Sequence, residues 1–337
     1  MSLVNICLVG AGRVGHMQGT NLKEGISLAQ VVAVVDPQED AAKELSAQIG
    51  AKRVFTDFAE ALEWGKFEAI VITTPTSTHP KIVVEAARAK KHIFCEKPLS
   101  LSLKEANQMR EEVERAQVKF SMGFMRRFDP GFLKAQERIE KGEIGRVVLI
   151  KSTSRGPHLP PGWACDPRSS GGMLAEVSSH DFDTLRWFAH SEFNSLWAIA
   201  GNYQCPDIEY QGFYDHAVVS CKFNNGVMGM VDMGCPVNYG YDARMEILGT
   251  EGVIFVGKVE AEDTLVLRKD GQVTTGAFSS WRTRFKTAYL EEMRHFIKCI
   301  DKDLSPRITL EDGERVVEAV LAANHSIETG QSVEIGD

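Results

Sequence analysis

The chain has 337 residues, 43% hydrophobic and 25% charged, with a formal net charge of -8; its length predicts two domains, and its negative balance argues against a nucleic-acid or anionic-membrane partner. No run of about 18 apolar residues is present to span a membrane, and Met1, Ser2 and Leu3 lead straight into an apolar run without a basic or cleavable segment, so a cytoplasmic protein is expected. Seven cysteines, an odd number without a CxxC pair, favour reduced thiols over a disulfide framework or a zinc site.

The first predicted element is a strand, Ile6 to Val9, that turns through Gly10-x-Gly12-x-x-Gly15 into a helix carrying Val14, Met17 and Leu22. In such a turn the first glycine allows the tight bend, the second lets a pyrophosphate approach the backbone, and the third lets helix and strand pack closely. The phosphates then lie at the helix N-terminus, against Arg13 and Val14. A second strand, Val31 to Val35, ends at Asp36, about 20 residues further on, where a carboxylate accepts hydrogen bonds from the adenosine ribose. No Arg follows closely to hold a 2'-phosphate, so the cofactor reads as NAD rather than NADP.

A helix over Glu39 to Ile49 stops at Gly50, a short strand lies around Val54 and Phe55, and Asp57 caps a helix through Leu62. The run Ala69 to Ile72 is a strand that ends in Thr73, Thr74, Pro75, Thr76, Ser77, Thr78, His79 and Pro80. A loop at that end of a parallel strand either lines the dinucleotide or is an ordinary polar turn, and His79 shares the ambiguity. A helix from Ile82 to Ala89 precedes the strand His92 to Cys95, which runs into Glu96-Lys97-Pro98. Strands alternating with helices require a parallel, doubly wound sheet. A Lys at the carboxyl end of a parallel strand points into the ligand crevice, where its ammonium can stabilise an alkoxide.

The glycine motif, the Thr74-Pro75-x-x-x-His79 loop and Glu96-Lys97-Pro98 together closely resemble the glucose-fructose oxidoreductase, inositol dehydrogenase and MocA (Gfo/Idh/MocA) group of sugar and polyol oxidoreductases. The segments Gly171 to Asp183 and Trp281 to Tyr289 extend the resemblance over nearly the whole chain. It implies a cofactor site formed by Gly10, Gly12, Arg13, Val14, Asp36, Thr73, Thr74, Pro75, Thr76, His79, Glu96 and Lys97. It also implies that Lys97 lies beside the nicotinamide and bonds the reacting hydroxyl, and that the Lys97-Pro98 peptide is cis.

After a helix from Leu103 to Ala116 and a strand from Val118 to Gly123, the domain boundary is expected near Met122, giving an NAD-binding Rossmann domain over 1–122 and a substrate-binding and oligomerisation domain over 123–337. Arg127 reads equally as a ligand of the substrate or as half of a structural ion pair. Asp129 and Pro130 open a helix that ends before Gly142, and Gly145 to Ser154 is a strand. Trp163, in the Pro- and Gly-rich loop that follows, can stack on a sugar face or pack under its own loop.

From Gly171 the pattern is helical, and Glu176 and His180 stand at i and i+4 with Asp183 one step further on. A carboxylate beside an imidazole fixes its tautomer and raises its basicity, as a general base needs. The resemblance places the catalytic His at His180, with Lys97 and Glu176 completing the catalytic set; around the substrate, Lys97 and His180 are expected together with Arg127 and Trp163 on the readings given above. Relatives usually carry Asp where this chain has Glu176, so the preferred polyol is expected to change more than the reaction. A metal site on His180, Asp181 and Asp183 is disfavoured because adjacent helix residues diverge, and none is expected.

Six β-rich segments between Ser195 and Arg268, joined by Asn225-Gly226, Gly249-Thr250-Glu251-Gly252 and Asp270-Gly271, predict a large open, mainly antiparallel sheet. No obvious helix covers its second face, so subunits are expected to pair sheet on sheet as a homodimer or homotetramer. Helices over Arg284 to Ile300 and Leu310 to Thr329 close the chain, the second with a Thr309/Asp312 capping box. The fold class is thus α/β followed by α+β. The function read here is NAD-dependent oxidation of a secondary alcohol on a cyclic polyol or sugar. Two alternatives stand beside it: an NAD-dependent glycosidase that uses transient oxidation and elimination, and a nucleotide-binding regulator that catalyses nothing.

Overall fold

The computed structural model describes residues 3–208, 212–261 and 264–336. Met1 and Ser2, part of the expected lead-in to the first strand, lie outside them. The chain divides into two compact units, Met1–Met125 with Thr287–Val317, and Arg126–Lys286 with Glu318–Asp337.

In the first unit six strands, β1 (Val4–Val9), β2 (Ala29–Val35), β3 (Arg53–Phe55), β4 (Ala69–Ile72), β5 (His92–Glu96) and β6 (Phe120–Gly123), form one sheet in the order β3-β2-β1-β4-β5-β6. Every pair in it is parallel. The strand order reverses between β1 and β4, the position where open α/β sheets open a ligand crevice at their carboxyl ends. Ile6, Leu8, Val34, Val71 and Phe94 are fully buried, as strands covered on both faces require.

The stretch 123–337, expected as one domain, is divided between the two units. The helix Lys286–Asp301 returns to the first unit from Thr287 onward, and its Met293, Phe296 and Ile297 join that unit's core. The Phe296 ring packs on Phe94 with centroids 5.8 Å apart. Each such fully buried side chain contributes roughly 1.5–3 kcal/mol, which the local pattern of the first 122 residues could not disclose.

In the second unit β7 (Val147–Arg155), β8 (Phe193–Gly201), β9 (His216–Phe223), β10 (Met228–Gly234), β11 (Asp242–Gly249) and β12 (Val253–Val256) form the large sheet with a short terminal strand. Beyond a two-residue hairpin of β13 (Val266–Leu267) and β14 (Val273–Thr274), that last strand is β15 (Val333–Glu334), giving the order β12-β11-β7-β10-β9-β8-β15. The sheet is mainly antiparallel as expected, but β7 and β10 run parallel, so the sheet is mixed. One face takes the helix Ser179–Ala189. Gly229 is the contact that allows it, because a Cβ there would lie 2.5 Å from Leu185. Burial alternates along β9, and Trp197, Ile199, Val218, Met228 and Phe255 are exposed. Among the described residues, no helix is long and apolar enough to cross a membrane.

Candidate active site

The glycine turn shows three different reasons for three glycines. Gly10 has φ +105°, and a Cβ there would fall 2.8 Å from the Thr73 carbonyl group. A Cβ on Gly15 would fall 2.0 Å from the Gly10 oxygen. On Gly12 it would meet no protein atom within 4 Å. Packing within the protein therefore dictates Gly10 and Gly15, whereas the open space at Gly12 is what a close-lying diphosphate requires. Gly12 is also the N-cap of the helix Arg13–Gly25 and has no side chain to satisfy the first N–H groups. Those groups, at Arg13 and Val14, and the positive end of the helix dipole suit an anion.

Asp36 follows β2, and its carboxylate accepts a hydrogen bond from the Ala11 N–H at 2.7 Å and from the Gln38 N–H at 2.9 Å. The acidic group is thereby fixed against the glycine turn itself, as ribose recognition requires. These residues fit NAD: Gly12 with the helix N-terminus for the diphosphate, and Asp36 for the adenosine ribose.

Two side chains of the segment after β4 tie it to neighbouring loops. The Thr73 hydroxyl bonds the Val9 and Gly10 carbonyls at 3.1 and 2.9 Å and braces the glycine turn. His79 is not in the loop but opens the helix His79–Arg88, fully buried. Its Nδ1 lies 2.8 Å from the Pro98 oxygen and its Nε2 2.9 Å from the Thr74 oxygen. Burial lowers its pKa against the opposing pull of the carbonyls, and the Lys97 ammonium lowers it further. The ring thus lies between the Thr74 and Pro98 carbonyls and links the two loops that carry them. Thr76 is buried, Pro75 is exposed, and the Thr74 hydroxyl accepts a bond from Thr78.

At the end of β5, Lys97 is half-buried and its peptide to Pro98 is cis, as the resemblance implied. Glu96, also expected at the cofactor, turns its carboxylate into the core. Its Oε1 accepts from Gln18 Nε2 at 3.1 Å, and the same nitrogen lies 3.1 Å from Glu292 Oε1. Gln18 and Glu292 were not singled out from sequence. The available signal was a Glu on the apolar stripe of a helix, between Ala288 and Phe296.

In the second unit the expected single helix through Glu176 and His180 is broken. Met173–Glu176 and Ser179–Ala189 are separate segments joined at Val177 and Ser178, both of which keep right-handed helical backbone. Glu176 is half-buried and His180 buried. The Glu176 charge reaches Cys165 and Cys235, whose thiols are pushed up, mainly by burial, to about 12 at Cys235. These thiols are neutral neighbours of the carboxylate.

The residues flanking His180 are held by arginines. Asp181, fully buried, accepts from Arg126 Nη1 at 2.6 Å and from the Ser152 hydroxyl at 2.5 Å, while Arg126 Nη2 bonds Ser154 at 2.6 Å. Asp183 accepts from Arg127 Nε at 3.0 Å and Nη2 at 2.6 Å. Of the two readings of Arg127, the structure shows the ion pair, closed bidentately and stacked near Trp187. Removing one member of such a buried pair typically costs about 3–5 kcal/mol, so both anchor the helix that carries His180. Trp163 lies in a short helix, Gly162–Cys165, and is 42% exposed, so its ring is not packed under the loop.

Comparison with known proteins joins these features. Residues 4–124 match the model of an oxidoreductase family with an NAD-binding Rossmann fold, and residues 132–255 match the GFO/IDH/MocA C-terminal domain. The chain is 34% identical to a myo-inositol 2-dehydrogenase of Thermotoga maritima, over 98% of both chains. It is also 34% identical to a scyllo-inositol 2-dehydrogenase (NAD(+)) of Bacillus subtilis, over 98% of this chain and 96% of that one. The crystal structure of scyllo-inositol dehydrogenase from Lactobacillus casei, with bound NAD(H) and scyllo-inositol, superposes with a TM-score of 0.93 at 28% identity and covers all of both chains. The glycine turn, Asp36 and Lys97 at the strand ends thus have a common explanation: the chain belongs to the Gfo/Idh/MocA family and is an NAD-dependent oxidoreductase of CH–OH groups.

Proposed function

We propose that the protein oxidises a secondary hydroxyl of a cyclic polyol of the inositol class in the cytoplasm. The observation that carries this reading is Lys97, placed at the carboxyl end of β5 in the same sheet whose β1 and β2 ends form the dinucleotide cradle. The names of the full-length relatives, inositol 2-dehydrogenases at 34% identity, support the substrate class. The cysteines are free, consistent with a reducing compartment.

When bound, NAD supplies the hydride acceptor. In this reading His180 takes the hydroxyl proton, Glu176 orients the imidazole, and the Lys97 ammonium stabilises the oxygen as negative charge develops. Trp163 offers an exposed ring face for the C–H surface of the polyol. The exposed apolar side chains of the large sheet support pairing of two copies sheet on sheet.

The test is steady-state formation of NADH over a panel of inositols, aldoses and sugar acids. An inositol is expected to give the highest kcat/KM. A preference for an aldose would overturn the substrate class, and NAD binding without turnover of any compound would favour the non-catalytic regulator.

A further inference from the structure

The pair of carboxyl groups behind Lys97 has no part in that mechanism. Glu96 comes from the end of β5, Glu292 from the helix Lys286–Asp301, and Gln18 from the helix that follows the glycine turn. All three are buried, and Glu292 is 1% exposed. Both carboxyl Oε1 atoms lie within 3.1 Å of the one Gln18 nitrogen, so two negative charges would face each other across a single amide. Among the described residues, Glu292 Oε2 has no hydrogen-bond partner. Ionisation would leave a bare charge there, whereas a proton on Oε2 removes it.

We propose that Glu292 is a neutral carboxylic acid in the working protein and acts as a positioning residue, holding Glu96 through Gln18 and so fixing the strand end that presents Lys97. The groups facing Glu292 are Glu96 and Gln18. Cys95 and Lys97 flank Glu96 in sequence, and Tyr289 precedes Glu292 on its own helix. Burial and the Glu96 charge both push the Glu292 pKa well up, against the Gln18 hydrogen bond. Two carboxyls sharing a site generally ionise one at a time.

The sign of the resulting pH dependence is fixed. The folded state holds a proton that the unfolded chain loses above about pH 4.3. Wild-type stability therefore falls, relative to a variant without that proton, as pH rises toward the folded-state pKa, and levels off above it. Chemical unfolding of wild type and Glu292→Gln from pH 5 to 9 is the test, and it requires no substrate. The folded-to-unfolded ratio of the variant relative to wild type is expected to rise by up to tenfold per pH unit and then plateau. A ratio flat across the range overturns the proposal. If Glu292→Gln does not fold, infrared spectroscopy of the wild type decides. The C=O stretch of a protonated carboxyl should be present at neutral pH and vanish on alkaline titration; its absence at neutral pH overturns the proposal.

The positioning half rests on the reading of Lys97 given above. The ratio of variant to wild-type kcat should rise severalfold from neutral to alkaline pH. A constant ratio alongside the stability slope would confine Glu292 to stability and overturn its positioning role.

Discussion

Lys97→Ala is expected to lower kcat by roughly 10²–10³-fold while leaving the Kd for NAD within severalfold. The asymmetry follows from where the charge appears. The substrate hydroxyl is neutral in the ground state and gains negative charge as its proton departs, so an ammonium aimed at that oxygen acts mainly in the transition state. In the proposed site the dinucleotide is held elsewhere, by Gly12, the helix N-terminus and Asp36. Lys97→Arg should recover little, because a planar guanidinium cannot reproduce a point charge on a half-buried strand end. Single-turnover measurement of NADH formation, with NAD affinity measured separately, checks both halves. A near-wild-type kcat in Lys97→Ala would remove Lys97 from the chemistry.

His180→Ala should cost roughly 10²–10⁴-fold in turnover and abolish the rise of alcohol oxidation with pH that a general base produces. Its stability should change little by comparison with Asp181→Ala, because Asp181 and Asp183, not His180, close the buried ion pairs with Arg126 and Arg127. Glu176 separates a positioning role from a merely solvated one. Glu176→Gln keeps the volume but not the charge and should lower kcat, while Glu176→Asp keeps the charge, shortens its reach and should change which polyol is preferred. Rates and polyol preference untouched by both variants would leave His180 without its proposed orienting partner.

Elements whose ends are set by local chemistry were legible in the sequence. The helix Glu39–Ile49 ends at Gly50 with φ 78°, and the helix Leu310–Thr329 ends at Gly330 with φ 68°, because a left-handed stop favours glycine. Asp129 caps the helix Pro130–Glu140 through the Gly131 and Phe132 N–H groups for the same kind of local reason. The glycine turn was legible because backbone approach distances admit one residue type.

What escaped depends on partners distant in sequence. The break at Val177 and Ser178 is hidden by a helical apolar spacing that continues through it. The carboxylate of Glu96 faces Glu292, and Arg126 faces Asp181, across separations that periodicity does not encode. The hydrogen bond from the Thr73 hydroxyl to the Gly10 carbonyl spans a separation that local pattern does not encode either, because threonine at a strand end suits a brace or a ligand equally. The parallel pairing of β7 with β10 likewise follows from chain crossings rather than from the hairpin signals that mark β9 with β10 and β11 with β12.

In the proposed reaction hydride passes directly from a polyol carbon to the nicotinamide. Its most direct test uses an inositol deuterated at the oxidised carbon, incubated with the wild-type protein and NAD, with the label followed by mass spectrometry. Each NADH formed should carry one deuterium, and the corresponding ketone should accumulate. NADH without the label, or consumption of substrate with no net NADH, would contradict it.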